Sequence, residues 1–213
     1  MNFKEYKIEG FLEDLASSSP APGGGSTASL IAAISGCLNN MVYSLTIGKK
    51  AFEKLNDNEK EKMIALEREC KIFIEKCMEL MEEDRSSFNK LMDCYKLPKT
   101  NEEEIAFRKS EIKNKTYEAM MAPLNVTREC FKFYDNIDFA VEFGNSMLIS
   151  DAGVSASLLN AAIESSIINV KVNLNSLRDE IYAKEIEDEI KFIMEESLKR
   201  KNLILEKVNK CIY

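Results

Sequence analysis

The sequence predicts an all-α fold, an antiparallel bundle of long helices with no β-sheet, on three observations. Only four prolines and eight glycines interrupt its 213 residues. The segments between them are far longer than strands and carry apolar residues at helical spacing. No segment alternates apolar and polar residues between turn signals, as a half-buried strand would. Long helices joined by short connections favour antiparallel neighbours, and a chain of this length is expected to form one domain over 1–213.

A first helix is expected over about 3–18, with Phe3, Ile8, Phe11, Leu12 and Leu15 broadly on one side, ending at Ser17-Ser18-Ser19-Pro20. A second, over about 26–47, repeats Leu30, Ile34, Cys37, Leu38, Met41, Val42 and Leu45; Ala28, Ala32, Ala33, Ser35 and Gly36 on its other faces invite close approach by neighbours. It reads as central and mostly buried. The stretch 58–95 is one long amphipathic helix, with Met63, Leu66, Cys70, Phe73, Ile74, Cys77, Leu80, Met81, Phe88, Leu91 and Met92 facing in, and Leu97-Pro98 ends it. A capping box at Thr100-x-x-Glu103 or Asn101-x-x-Glu104 opens a fourth, which Pro123 should kink or break before it runs on toward Val141. Gly144 precedes a fifth helix, 146–168, rich in Ala and Ser, and a charged sixth spans 172–213.

Composition narrows the function. The net charge of -7 sets the surface against a phosphate backbone, so nucleic acid is not an expected partner. No stretch reaches about 18 consecutive apolar residues, and the N-terminus carries acids where a signal peptide would be apolar, so no membrane is expected and the location reads as cytoplasmic. Six cysteines without a CxxC pair read as buried free thiols in a reducing compartment. Histidine is absent, which removes the commonest zinc ligand and the side chain best suited to proton transfer near neutral pH. No metal is expected, and any catalysis must use other side chains or the substrate's own groups.

Three consecutive glycines, Gly23, Gly24 and Gly25, between Pro22 and Ser26 imply either a positive φ or the close approach of another group. Free N–H groups there would form an anion site at the helix start, while a tight interhelical turn explains the run equally well. Asp84 lies on or beside the apolar stripe of Leu80, Phe88, Leu91 and Tyr95, and Asp151 repeats the situation among Leu148, Ala152, Ser155, Leu158 and Leu159. A carboxylate so placed needs a partner or must neutralise, so each is either a buried ion-pair member or an acid/base group. Asn145, Asn169 and Asn173 are capping or turn residues, or amides facing a polar cavity. Lys49 and Lys50 suit the C-terminal end of the second helix and could equally hold a ligand carboxylate.

Taken in order, FLEDLASSSPAPGGGSTASLIAAI, MVYSLTIGKK, EDRSSFNKLMDCYKLPK with Arg108 downstream, AMMAPL, GNSMLISDAGVSASLLNAA and INVKVNLNSL resemble the cyclodeaminase/cyclohydrolase family of folate enzymes. The match runs from about Glu9 to Leu177. The resemblance implies an all-helical homodimer that binds a tetrahydrofolate derivative, often polyglutamylated, and needs no metal and no cofactor beyond the folate that carries the reacting carbon. It implies ring closure of formiminotetrahydrofolate to methenyltetrahydrofolate with release of ammonia, or alternatively the hydrolytic interconversion of methenyl- and formyltetrahydrofolate. A folate-binding or scaffold protein without activity is the further alternative. For either reaction Asp84 and Asp151 are the candidate acid/base groups, and Pro22 to Ser26, Lys49, Lys50, Asn145, Asn169 and Asn173 the candidate substrate contacts.

Overall fold

The computed structural model describes residues 2–212, and among these there are helices and no strands. Five long helices carry the architecture: α2 (Gly24–Ser44), α4 (Asp57–Cys94), α5 (Glu102–Phe143), α6 (Ile149–Leu174) and α7 (Ala183–Ile212). Two short ones, α1 (Ile8–Leu15) and α3 (Lys50–Glu53), sit before and after α2. Two contacts at each interface fix antiparallel packing: Asn39 meets Cys70 and Ser26 meets Asp84 between α2 and α4, Asn136 meets Leu66 and Phe133 stacks on Phe73 at 3.9 Å between α5 and α4, and Ser35 meets Ser155 and Gly24 meets Asn169 between α2 and α6.

The centre is α2, packed on α4, α5 and α6. Its buried face is the small and polar one: Ala28, Ala32, Ala33, Ser35, Gly36, Asn39, Val42 and Tyr43. A Cβ on Gly36 would lie 2.8 Å from the Phe73 ring, so glycine is what lets α4 approach. Ser35 and Ser155 exchange hydroxyl-to-carbonyl hydrogen bonds of 2.8 and 2.9 Å. Asn39 Nδ2 donates to Asn136 Oδ1, Asn136 Nδ2 to the Leu66 carbonyl, and Tyr43 Oη to the Asn136 carbonyl, a buried network linking three helices. The larger apolar residues expected to anchor α2 point the other way: Ile34 is 44% and Leu45 45% exposed, Cys37 is exposed, and Leu30, Leu38 and Met41 are half-buried. Small residues win the interior because only they permit three neighbours at close range.

Several boundaries differ from expectation. The first helix resolves into a 3-10 turn at Phe3–Glu5 and α1. The fifth and sixth divide later than expected, at Asn175–Tyr182, where no glycine or proline marks the break; the sixth was expected to reach residue 213, which lies outside the described residues. Pro123 does not break its helix. Proline cannot donate to the carbonyl four residues back, and Asn173 Nδ2 of α6 donates to that Ala119 oxygen instead, at 3.5 Å. The α5 start follows the Asn101 alternative, with Asn101 Oδ1 accepting from the Glu104 N–H at 2.9 Å. Of the thiols, Cys70, Cys77, Cys94 and Cys130 are buried, whereas Cys37 and Cys211 are exposed, and all six are free. By length and hydropathy the stretch Ser146–Leu177 could cross a membrane, but its α6 portion packs on α2, α5 and α7 as a core helix.

Candidate active site

Gly23 caps α2 in an extended conformation (φ -133°), so Gly24 and Gly25 occupy the first helical turn. No positive φ is involved; among the described residues the one with positive φ is Gly48. What the glycines allow is close approach. A Cβ on Gly25 would stand 2.5 Å from Cγ and 2.7 Å from Oδ2 of Asp84, so the carboxylate lies against the bare backbone. Ser26 Oγ donates to Asp84 Oδ2 at 2.9 Å, and the Ser26 N–H donates to the same carboxyl group. The anion position expected at the start of α2 is thus filled by the protein's own carboxylate. Burial pushes the Asp84 carboxyl above the usual carboxylate range, and the Ser26 hydrogen bonds oppose that shift without cancelling it.

Beside this pair opens a pocket of about 330 Å³, within the range of small-ligand sites. Gly23, Gly24 and Gly25 form one side. Asp84, Phe88, Leu91, Met92 and Tyr95 descend from α4 at spacings of three and four, with Arg85 at the edge. Thr116 and Ala119 of α5, Asn169, Val172 and Asn173 at the end of α6, and Ser176 in the turn just beyond it complete it. Among the described residues Asp84 is the one carboxylate lining the pocket. The Asn169 amide lies 3.3 Å from where a Gly24 Cβ would be, and its Nδ2 donates to the Ser165 carbonyl.

The structure therefore brings together Gly23, Gly24, Gly25, Ser26, Asp84, Asn169 and Asn173, with Pro22 buried just behind the loop. The remaining candidates collect at the opposite end of the bundle. Lys49 and Lys50 are exposed at the start of α3, beyond the full length of α2, about 30 Å from Gly24. Asn145 donates its N–H to Thr46 Oγ1 and accepts from the Met147 N–H, a capping role. Asp151 is in the first turn of α6, where a negative charge suits the helix dipole, and is 18 residues, about 27 Å, from Asn169 along that helix. Sequence reasoning did not single out Arg85, Thr116, Ala119, Val172 and Ser176 as site residues. Phe88 and Met92 were legible only as core positions; their half-burial beside a carboxylate was the available signal.

The family model described as formiminotransferase-cyclodeaminase matches residues 7–192, which extends past Leu177 into α7. The methenyltetrahydrofolate cyclohydrolase of Methylorubrum extorquens is 37% identical over 155 residues, covering 70% of this chain and 69% of that protein. The mouse formimidoyltransferase-cyclodeaminase is 26% identical over 155 residues, and the match takes in only 28% of its length. The crystal structure of a formiminotetrahydrofolate cyclodeaminase from Thermotoga maritima superposes with a TM-score of 0.78 over 98% of this chain and 96% of that one, at 24% identity, and so shares the fold. On the extent of the family match and the identity to the Methylorubrum protein, this chain belongs to the formiminotransferase-cyclodeaminase family.

Proposed function

We propose that this chain is a folate-dependent one-carbon enzyme that adds water to methenyltetrahydrofolate to give formyltetrahydrofolate, with Asp84 as the proton-transfer group. The observation that carries the reading is the single carboxylate lining the pocket among the described residues, half-buried against Gly25, oriented by Ser26 and raised in pKa. As water attacks the methenyl carbon, Asp84 takes its proton. When the tetrahedral carbon releases one folate nitrogen, Asp84 returns that proton to it. A carboxylate of raised pKa is a stronger base than an exposed one and is better matched to this transfer near neutral pH. Phe88, Met92 and Val172 supply apolar surface for the ring system, and Asn169 and Asn173 supply amides at its edge. The chemistry invokes no metal.

The hydrolytic reaction is favoured by the relative of 37% identity that carries that name, against 26% for the mouse cyclodeaminase. The deaminating form is the second reading, favoured by the same raised pKa: Asp84 in its neutral form would protonate departing ammonia while the substrate's own nitrogen closes the ring. The pH profile separates the two. A base must be ionised, so hydrolysis should rise with pH through the Asp84 pKa; an acid must be protonated, so deamination should fall. Following methenyltetrahydrofolate by its near-ultraviolet absorbance tests both: loss in water supports hydrolysis, formation from formiminotetrahydrofolate with ammonia supports deamination, and neither reaction would refute the enzyme reading.

The reading includes a homodimer and a cytoplasmic location. The apolar stripe of Ile34, Leu38, Met41 and Leu45 on α2, exposed or half-buried in a single chain, supports the first. Six free thiols support the second.

A further inference from the structure

Among the described residues one cation lines the pocket, Arg85, which follows Asp84 on α4. An ion pair at i,i+3 on a helix surface, such as Arg85 with Glu82, ordinarily contributes little. Here the N-terminal turn grips the pair. The Phe3 N–H donates to Oε1 of Glu82, whose Oε2 pairs with Arg85 Nη2 at 2.5 Å, so one carboxylate ties the main chain of residue 3 to the guanidinium. The guanidinium carbon also stands 4.6 Å from the centre of the Phe3 ring, within the range of a cation–π contact. Phe3 is itself fixed: it is buried, and Tyr6 and Phe11 meet it edge-on at 5.5 and 5.7 Å. Met81 of α4 is buried in the same cluster, and Ala21, which lines the pocket, packs against it. An ion pair and a ring face thus pre-organise a donor fork in the pocket that holds Asp84.

We propose that Arg85 reads the exocyclic atom of the one-carbon group and selects oxygen over nitrogen, with Glu82 and Phe3 as its positioning residues; the assignment rests on the function proposed above. A guanidinium donates through its N–H groups and accepts nothing. The methenyl carbon is closed into a ring and carries only hydrogen, so it offers the fork no partner. Water supplies one. As the O–C bond forms, Asp84 takes one water proton and returns it to the folate nitrogen when the C–N bond breaks, and the hydroxyl proton leaves to solvent as the C=O bond forms. From attack onward the oxygen accepts from Arg85, so the contact lowers the barrier without strengthening substrate binding. A formimino group puts a protonated nitrogen in that place, and a donor and cation then faces a donor and cation. Arg85 therefore selects against the deaminating reaction at the atom where the two chemistries differ.

Two measurements test this. The first is the Kd, by isothermal titration, of tetrahydrofolate bearing a formyl or a formimino group on the same ring nitrogen, two ligands that differ in that exocyclic atom. The wild type should favour the formyl form by about tenfold or more, and R85M, which keeps the stem and loses the donors, should bind the two within about twofold. The second is turnover of methenyltetrahydrofolate. R85M should lower kcat by about tenfold or more with KM within about twofold, and R85K, which keeps the charge without the fork, should fall between. F3L, which fills the cluster without a ring, should show part of both losses, about two- to fivefold. F11L, which removes a neighbouring ring of the same cluster, should show neither. Equal Kd values in the wild type, or an unchanged kcat in R85M, would overturn the Arg85 assignment while leaving the folate pocket intact; equal losses in F3L and F11L would overturn the positioning role of Phe3. Binding of neither ligand would refute the folate reading and this inference with it.

Discussion

Replacing Gly25 by alanine tests the closest contact in the pocket. The new Cβ would lie 2.5 Å from Asp84 Cγ and 2.7 Å from Oδ2, well inside van der Waals contact. The obstacle is the end of a side chain, so the carboxylate should rotate away by roughly 1 Å or more while the helices stay in place. That motion weakens the Ser26 hydrogen bonds, each worth about 1.5–3 kcal/mol when the acceptor is charged. Alanine returns up to about 1 kcal/mol of helix propensity, and a rotated carboxylate regains water, so the net destabilisation should stay near 1–2 kcal/mol. Catalysis has no such relief: a 1 Å displacement of a reacting group costs about 100-fold. The companion variants grade the effect. A Cβ on Gly24 would meet the Asn169 amide at 3.3 Å, and one on Gly23 meets nothing within 4 Å, so G24A should lower turnover a few-fold and G23A little. Thermal unfolding and initial rates measure both quantities. Turnover in G25A equal to that of wild type would refute the claim that the glycine exists to seat the Asp84 carboxylate for catalysis.

D84N should lower turnover by more than tenfold and yet stabilise the fold. Asp84 has a folded pKa above its unfolded value, so ionisation costs stability as pH rises above the ordinary Asp range; the gain from D84N should appear there and vanish below it, as a Tm comparison across pH would show. N173A should cost about 1 kcal/mol in the wild type by leaving the Ala119 carbonyl unpaired, and much less in a P123A background, where an α5 N–H is restored; equal costs in urea unfolding would refute that link. I34D should yield a monomer in sedimentation, because it places a charge on the uncovered stripe of α2; an unchanged dimer would move the interface elsewhere.

The fold class was legible because period 3.6 persists over segments no strand could match, and the α4 stripe gave both the helix and the setting of Asp84. The orientation of α2 was not: hydrophobicity points its leucines and isoleucines inward, whereas three close neighbours select the small face, a tertiary requirement that no local pattern states. Pro123 misled for a similar reason, since the donor that replaces its missing N–H is Asn173, 50 residues on. In the site, the glycine run correctly implied close approach, but the identity of the approaching group, Asp84, is a contact across 59 residues. Asp84 and Asp151 look alike in sequence because each sits on an apolar helical face; they separate only when antiparallel packing sends the end of α6 and the start of α2 to one end of the bundle.

A crystal structure with a bound tetrahydrofolate derivative tests the location of the reacting carbon most directly. The expected result places the ring system between Gly24, Phe88 and Asn169, with the carbon-bearing nitrogens within hydrogen-bond or one-water reach of Asp84. Density for the folate ring at the far end of the bundle, beside Lys49, Asn145 and Asp151, would contradict it.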